Sequence, residues 1–160
     1  MEGWALPDRR FNAFIVLCIV VVCISCCHRE SEQEKVKKVI TGVQKAAEKK
    51  DIKKIMSCIS RTYRDPQGHT YDDIQGLVFS YFYQYQNVSV YIPSLDVFVE
   101  DTLAKALFRA VLTGRGANES ASAVLPGSFD MYFFEVSLKK ESGDWKIVSA
   151  KWERAADAVR

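Results

Sequence analysis

Residues 138–148 read Leu-Lys-Lys-Glu-Ser-Gly-Asp-Trp-Lys-Ile-Val, and this stretch contributes most to the prediction of the fold. Its central segment, 141–144, combines serine, glycine and aspartate, which accept the backbone angles of a tight turn. Stretches rich in aromatic and aliphatic residues flank this turn over 129–140 and 145–154. The chain is therefore predicted to end in an antiparallel β-hairpin.

The sequence before the hairpin predicts three more strands. Apolar residues occupy every second position in two short segments, Val88 to Ile92 and Leu95 to Val99, and a long apolar segment follows over 103–113. Residues 114–128 are rich in glycine, serine and alanine and predict a loop. Such alternation is typical of an antiparallel sheet with one face packed on helices.

Three helices are predicted ahead of the strands. Each begins at a residue that can cap a helix: Ser31 in Ser-Glu-Gln-Glu, then Asp51, then Thr70 in Thr-x-x-Asp. Apolar residues follow at helical spacing, in the first helix as Val36, Val39, Ile40 and Val43. The third helix, over 70–86, is apolar on two sides, so we expect it to be the most buried, with the sheet curled around it.

This order of elements over residues 31–155 resembles the NTF2-like superfamily, also called SnoaL-like or cystatin-like. The charged turn that leads into Trp145-Lys146-Ile147 is similar to a frequent ending in that family, and the loop Tyr63-Arg64-Asp65 also fits it. The resemblance implies an α+β fold in which N-terminal helices pack in a curved antiparallel sheet and leave a conical pocket. Some members are isomerases or dehydratases, and many others bind ligands or dimerise.

The position of each residue in such a cone suggests a ligand pocket. We expect its walls to include Tyr63, Tyr81, Tyr85, Phe108, Tyr132 and Trp152. Trp145 and Trp152 have opposite parity in one strand, so only one of the two is expected to face the interior.

Catalytic candidates are fewer. The isomerases of this fold use a carboxylate base, for which Asp65 and Asp130 are the weak candidates, together with a tyrosine on the first helix that residues 31–50 lack. The dehydratases use a histidine and aspartate pair, which the resemblance places on His69 and Asp65. Because both residues belong to a turn-rich loop, we expect solvated or capping roles for them.

The first 30 residues carry the pattern of a bacterial lipoprotein signal. Arg9 and Arg10 precede an apolar run over 13–24, which as a helix spans about 18 Å against about 30 Å of hydrocarbon. The run ends in Ile24-Ser25-Cys26, which resembles a lipobox with Cys26 as the lipidated residue. Lipidation at Cys27 and an uncleaved signal anchor are the alternatives.

These features divide the chain into four parts. Residues 1–25 are predicted to be the signal peptide, 26–30 a short linker, 31–155 the α+β domain and 156–160 a tail. The predicted location is the bacterial cell envelope, lipid-anchored at the outer membrane and facing the periplasm.

Composition narrows the function classes. The net charge is +2, and no lysine or arginine occurs over 65–104, where aromatic residues are densest, so we expect no nucleic-acid partner. The five cysteines are mostly in the leader and there are only two histidines, so we expect no metal and no cofactor. The sequence thus favours a membrane-tethered module that binds a small apolar ligand or a protein partner, including a second copy of itself. The alternative is a small isomerase- or dehydratase-like enzyme that uses a pocket carboxylate as general base.

Overall fold

The computed structural model describes residues 30–116 and 128–155, and from Ser31 onward these belong to one compact unit. Their order is α1 (Glu32–Glu48), α2 (Ile52–Ser57), α3 (Tyr71–Gln84), β1 (Tyr85–Tyr91), β2 (Leu95–Glu100), β3 (Leu103–Gly116), β4 (Ser128–Glu141) and β5 (Asp144–Arg154). The predicted α+β class is confirmed. The predicted leader, the tail and most of the loop predicted over 114–128 lie outside the described residues. No helix within the described ranges is long and apolar enough to cross a membrane.

Side-chain caps fix the starts of all three helices, as predicted. The side chains of Ser31 and Asp51 each accept a hydrogen bond from the backbone N–H three residues further on. Thr70 and Asp73 form a complete capping box, in which the Asp73 carboxylate accepts the Thr70 N–H at 2.8 Å. Because each cap satisfies backbone groups that the helix leaves unpaired, each contributes about 1 kcal/mol to stability.

The strands form one antiparallel sheet in the order β1-β3-β4-β5, and β2 also pairs with β3. β3 is long enough to pair with β1 along its second half and with β2 along its first half. The predicted hairpin joins β4 and β5, and its turn places Ser142 and Gly143 at φ values of 50° and 95°. This left-handed geometry is the reason that the turn contains glycine.

A β-bulge between β4 and β5 changes which side chains face the helices. Ser137 pairs with Ser149 and Leu138 pairs with Ile147, so Val148 is an extra residue in β5. The bulge reverses the parity of the strand, since one inserted residue turns every following side chain to the other face. Trp145 is consequently buried, and Trp152 also faces the interior. The prediction that only one of the two tryptophans faces inward is wrong.

The first helix, not the third, supplies most of the helical core. Val36, Ile40 and Ala46 of α1 are buried with residues of the sheet, whereas α3 has no fully buried residue. The second apolar flank of α3 faces solvent, with Phe79 62% and Tyr83 82% exposed. The prediction that the third helix is the most buried, with the sheet curled around it, is therefore wrong. Its physical reason is that α3 packs beside β1 and α2, where only one of its faces meets the core.

Glu32 ties the start of α1 to the closing hairpin. Its carboxylate accepts hydrogen bonds from Lys35 at 2.8 Å, from Lys140 at 2.9 Å and from the Trp145 indole at 2.8 Å. These three contacts, in that order of strength, lower the pKa of Glu32 to about 2. The carboxylate therefore stays ionised and holds helix and hairpin together over the whole neutral range.

The loop after α2 runs along β5 and positions the candidate site. Ser60 N–H donates to Ile147 O at 2.8 Å, and Ile147 N–H donates to Cys58 O at 2.9 Å. Arg64 N–H donates to the carbonyl of the bulged residue Val148 at 3.0 Å. These bonds fix the backbone on both sides of Tyr63 and direct the following turn towards the sheet interior.

Candidate functional site

An apolar cavity of about 250 Å³ lies between the helices and the inner face of the sheet. Among the described residues that line it there is no charged side chain, and the polar ones are Gln44 and Tyr63. Gln44 already donates its amide to Val90 O at 2.7 Å. The cavity therefore offers a guest mainly hydrocarbon and aromatic surface, contributed by Ile40, Val78, Phe108, Ala110, Phe134 and Trp152.

Three aromatic rings form one side of this cavity. Phe108 pairs with Phe134 across β3 and β4, and Phe134 pairs with Trp152 across β4 and β5. The two phenylalanine rings stack, with centroids 5.1 Å apart and an angle of 11° between planes. A row of rings across neighbouring strands makes a flat wall, which suits a flat guest.

A buried polar group lies next to the cavity. The Asp65 side chain is inaccessible to solvent, and its carboxylate accepts the His69 backbone N–H at 2.9 Å. The other carboxylate oxygen lies 2.8 Å from His69 Nδ1 and 3.4 Å from the Tyr63 hydroxyl. Of the solvated or capping roles expected for Asp65, the solvated one is wrong, because the turn folds back on itself and Tyr63 covers the carboxylate. The hydrogen bond from the His69 backbone N–H fits the capping role.

The protonation states of this group follow from its contacts. Burial opposes ionisation of Asp65, but the hydrogen bonds from His69 outweigh burial and lower the pKa of the carboxyl below its usual value. Burial, and then the charge of Asp65, raise the pKa of Tyr63 well above its usual value. Asp65 is thus an anion at neutral pH that orients the His69 ring, and Tyr63 stays a neutral donor.

The Asp65–His69 pair meets the cavity only indirectly. Tyr63 and Trp152 line the cavity, whereas Asp65 and His69 are not among its lining residues. The His69 ring stacks on Trp152 with centroids 6.1 Å apart, and the His69 side chain is 34% exposed. A guest in the cavity would therefore touch Trp152 and Tyr63 before it reached the imidazole.

The remaining predicted residues, Tyr81, Tyr85, Asp130 and Tyr132, form a second group together with Arg154, and these five residues are here called the polar rim. The rings of Tyr81 and Tyr85 lie 4.6 Å apart. Arg154 Nη2 lies 3.4 Å from the Tyr132 hydroxyl and 3.5 Å from the Asp130 carboxylate. None of the five rim residues lines the cavity. The Tyr132 ring nevertheless lies 6.2 Å from the ring of Phe134, which does line the cavity.

Arg154 is the one rim residue that the sequence reasoning missed. Its signal was present, since Arg154 shares parity with Trp152 at the end of β5. In the part of the chain that the structure describes, no three histidine, cysteine or acidic side chains lie close enough together to hold a metal ion.

Comparison with known proteins supports the fold. No protein-family model and no curated relative matches the sequence. A candidate dehydratase of the NTF2-like family from Streptomyces avermitilis superposes with a TM-score of 0.66 at 12% identity, covering 76% of this chain and 95% of that one. An NTF2-like superfamily protein from Salmonella enterica serovar Typhimurium gives 0.63 at 13%, covering 76% and 89%.

A third structure, Bd1075 of Bdellovibrio bacteriovorus, gives a TM-score of 0.64 at 12% identity. The match covers 76% of this chain but only 41% of Bd1075, so the chain spans less than half of that protein. Similarity at such low identity concerns the fold alone. The helices, the curved antiparallel sheet and these superpositions together show that the domain has the fold of the NTF2-like α+β cone.

Proposed function

We propose that this domain is a binding module that encloses a small, flat and mainly apolar ligand in its cone. The observation that carries the proposal is the cavity of about 250 Å³, with its wall of three aromatic rings. A dry cavity of about 150 Å³ in another protein binds benzene. A volume of 250 Å³ therefore suits a body of about two fused rings.

A cavity-filling substitution tests this proposal. Ala110 is buried on the inner face of β3, so Ala110→Phe places a ring inside the cavity. We expect 1-tetralone, a two-ring ketone, to bind the unchanged protein and to bind Ala110→Phe at least tenfold more weakly. The full chain would be held in lipid nanodiscs, and binding would be measured by equilibrium dialysis with subtraction of empty nanodiscs.

Val111→Phe is the matched control, because Val111 is the next residue of the same strand and points to the other face. This variant should bind 1-tetralone as the unchanged protein does. Equal binding by all three proteins, or binding by none, would refute the cavity as a ligand site.

We further propose that the domain is exported and tethered to the bacterial envelope by a lipid on Cys26. The support is the sequence of the leader: two arginines, an apolar run too short to span a bilayer, and Ser25-Cys26 at its end. Intact mass of the membrane-extracted protein should show a mature chain that begins at acylated Cys26.

The substitution Cys26→Ser should move the protein out of the membrane fraction, since stable anchoring needs the acyl chains that this cysteine would carry. Cys58→Ser is the control and should leave the protein in the membrane fraction. Membrane retention of Cys26→Ser with loss on Cys27→Ser would transfer the site to Cys27. A chain that still begins at Met1 would contradict the signal peptide altogether.

A small isomerase- or dehydratase-like enzyme is the second candidate, favoured by the 2.8 Å contact between His69 and Asp65. The pKa of Asp65 lies below its usual value, so the carboxylate would orient His69 and the imidazole would be the general base. Binding is preferred because neither residue lines the cavity. Exchange of the α-protons of 1-tetralone into D₂O, accelerated by the protein and slowed by His69→Ala, would decide for the enzyme.

A further inference from the structure

We propose that the polar rim recognises one neutral oxygen of the ligand, a ketone or a hydroxyl, so that the ligand is an apolar two-ring body with a single polar end. This inference rests on the proposed binding function and adds the chemistry of the ligand's exposed end. The rim residues are Tyr81, Tyr85, Asp130, Tyr132 and Arg154, and three observations support their role.

The first observation is that the rim continues the inner face of the cone. Tyr132 lies two residues before Phe134 in β4, and Arg154 lies two residues after Trp152 in β5. Because side chains alternate along a strand, each rim residue points to the same face as its cavity-lining neighbour. Tyr132 and Arg154 are also register partners across the two strands, so the sheet places them side by side.

Helix α3 brings Tyr81 to the same place, and Tyr85 follows as the first residue of β1. Tyr81 follows Val78 by three residues, and Val78 lines the cavity, so the two side chains share a helix face. Tyr85, Tyr132 and Asp130 are all close enough to Tyr81 to influence its ionisation. The rim therefore lies between the C-terminal end of α3, the start of β4 and the end of β5.

The second observation is that two phenol hydroxyls remain available as donors. Within the described ranges, the Tyr81 hydroxyl has no hydrogen-bond partner. Burial, followed by the charges of its neighbours, raises the pKa of Tyr81, so the phenol keeps its proton at neutral pH. The Tyr132 hydroxyl accepts a hydrogen bond from Arg154, which leaves its own proton for a ligand oxygen.

The third observation concerns charge. The Arg154 guanidinium lies 3.5 Å from the Asp130 carboxylate, so the rim contains one positive and one negative group. An anionic ligand end would meet Asp130, and a cationic end would meet Arg154. Each of these charged ends would be repelled by the rim residue of the same charge. A neutral oxygen that accepts hydrogen bonds from the phenols avoids this repulsion, so the rim selects ketones and hydroxyls over acids and amines.

The test compares two guests of the same shape, 1-tetralone and its hydrocarbon analogue tetralin, by dialysis of the full chain in nanodiscs. The unchanged protein should bind 1-tetralone about fivefold more tightly than tetralin, the effect of about one net hydrogen bond. Tyr81→Phe together with Tyr132→Phe should remove this preference and leave tetralin binding unchanged. Tyr83→Phe, in the same helix but with its ring 82% exposed, should keep the preference.

The outcomes separate this inference from the proposed function. Equal binding of the two guests by the unchanged protein, or a preference that survives the double substitution, would overturn the rim and leave the cavity intact as a ligand site. In that case, binding of tetralin that Ala110→Phe abolishes would show that the cavity binds ligand and that only the role of the rim is wrong. Absence of binding by either guest would overturn both.

Discussion

Replacing Leu138 by alanine is expected to lower the free energy of unfolding by about 3 kcal/mol, a large part of the roughly 5–15 kcal/mol that stabilises a typical domain. Leu138 is 1% exposed and belongs to the core cluster that joins α1 to the sheet. It lies beside the β-bulge, whose backbone is held by hydrogen bonds to the loop after α2. The surrounding residues therefore have little freedom to fill the space that the leucine leaves.

Urea denaturation of the full chain in nonionic micelles, followed by tryptophan fluorescence, would measure this effect. Leu103→Ala is the matched control, since Leu103 is a strand leucine with 56% exposure, and its loss should cost less than about 0.5 kcal/mol. The m-value should stay the same in both variants. A Leu138→Ala protein within about 1 kcal/mol of the unchanged one would mean that the inner face of β4 is not packed as described.

The parts of the fold that depend on neighbouring residues in the chain could be predicted from the sequence. Caps at Ser31, Asp51 and Thr70 and the hairpin turn depend on contacts within a few residues, so the sequence displays them directly. The bulge at Val148 does not, because it depends on how β5 aligns with β4 and with the loop after α2. A single inserted residue reversed the expected facing of Trp152 relative to Trp145.

The exposed flank of α3 shows a second limit. Phe79 and Tyr83 read as a buried face by composition, yet both lie in solvent. Periodicity reports which residues are apolar and at which spacing, but it cannot report how many neighbouring elements surround a helix. In this domain the available core is filled by α1 and the sheet, and α3 contributes one face to it.

The candidate site also contains some residues whose positions could be predicted from the sequence and others whose positions could not. Phe108 and Trp152 could be placed in the cavity because the cone implied by the family resemblance has strands whose inner faces line a pocket. The burial of Asp65 could not be predicted, since aspartate before proline and glycine reads equally well as an exposed turn. What buries it is the approach of Tyr63 and the return of the turn at His69, and both depend on the tertiary path of the loop.

That buried carboxylate gives the second large prediction. Asp65→Ala is expected to lower the free energy of unfolding by about 3 kcal/mol, because it leaves the His69 backbone N–H and the Tyr63 hydroxyl without their acceptor in a buried place. Asp96→Ala, at an exposed position of β2, is the control and should change stability by less than about 0.5 kcal/mol.

The difference in unfolding free energy between the unchanged and Asp65→Ala proteins should depend on pH, because the Asp65 carboxylate is ionised at neutral pH. The pKa of Asp65 is lower in the folded protein than the usual aspartate value of about 4, so its ionisation stabilises the fold above that pH. As the pH falls below about 4 towards the folded pKa, the unfolded chain takes up the proton first and the stabilisation is lost. Denaturation of the unchanged and Asp65→Ala proteins between pH 7 and pH 3 should therefore give curves that converge at the acidic end. A stability difference that stays constant down to pH 3 would mean that packing alone causes the effect and that the ionised carboxylate contributes nothing to it.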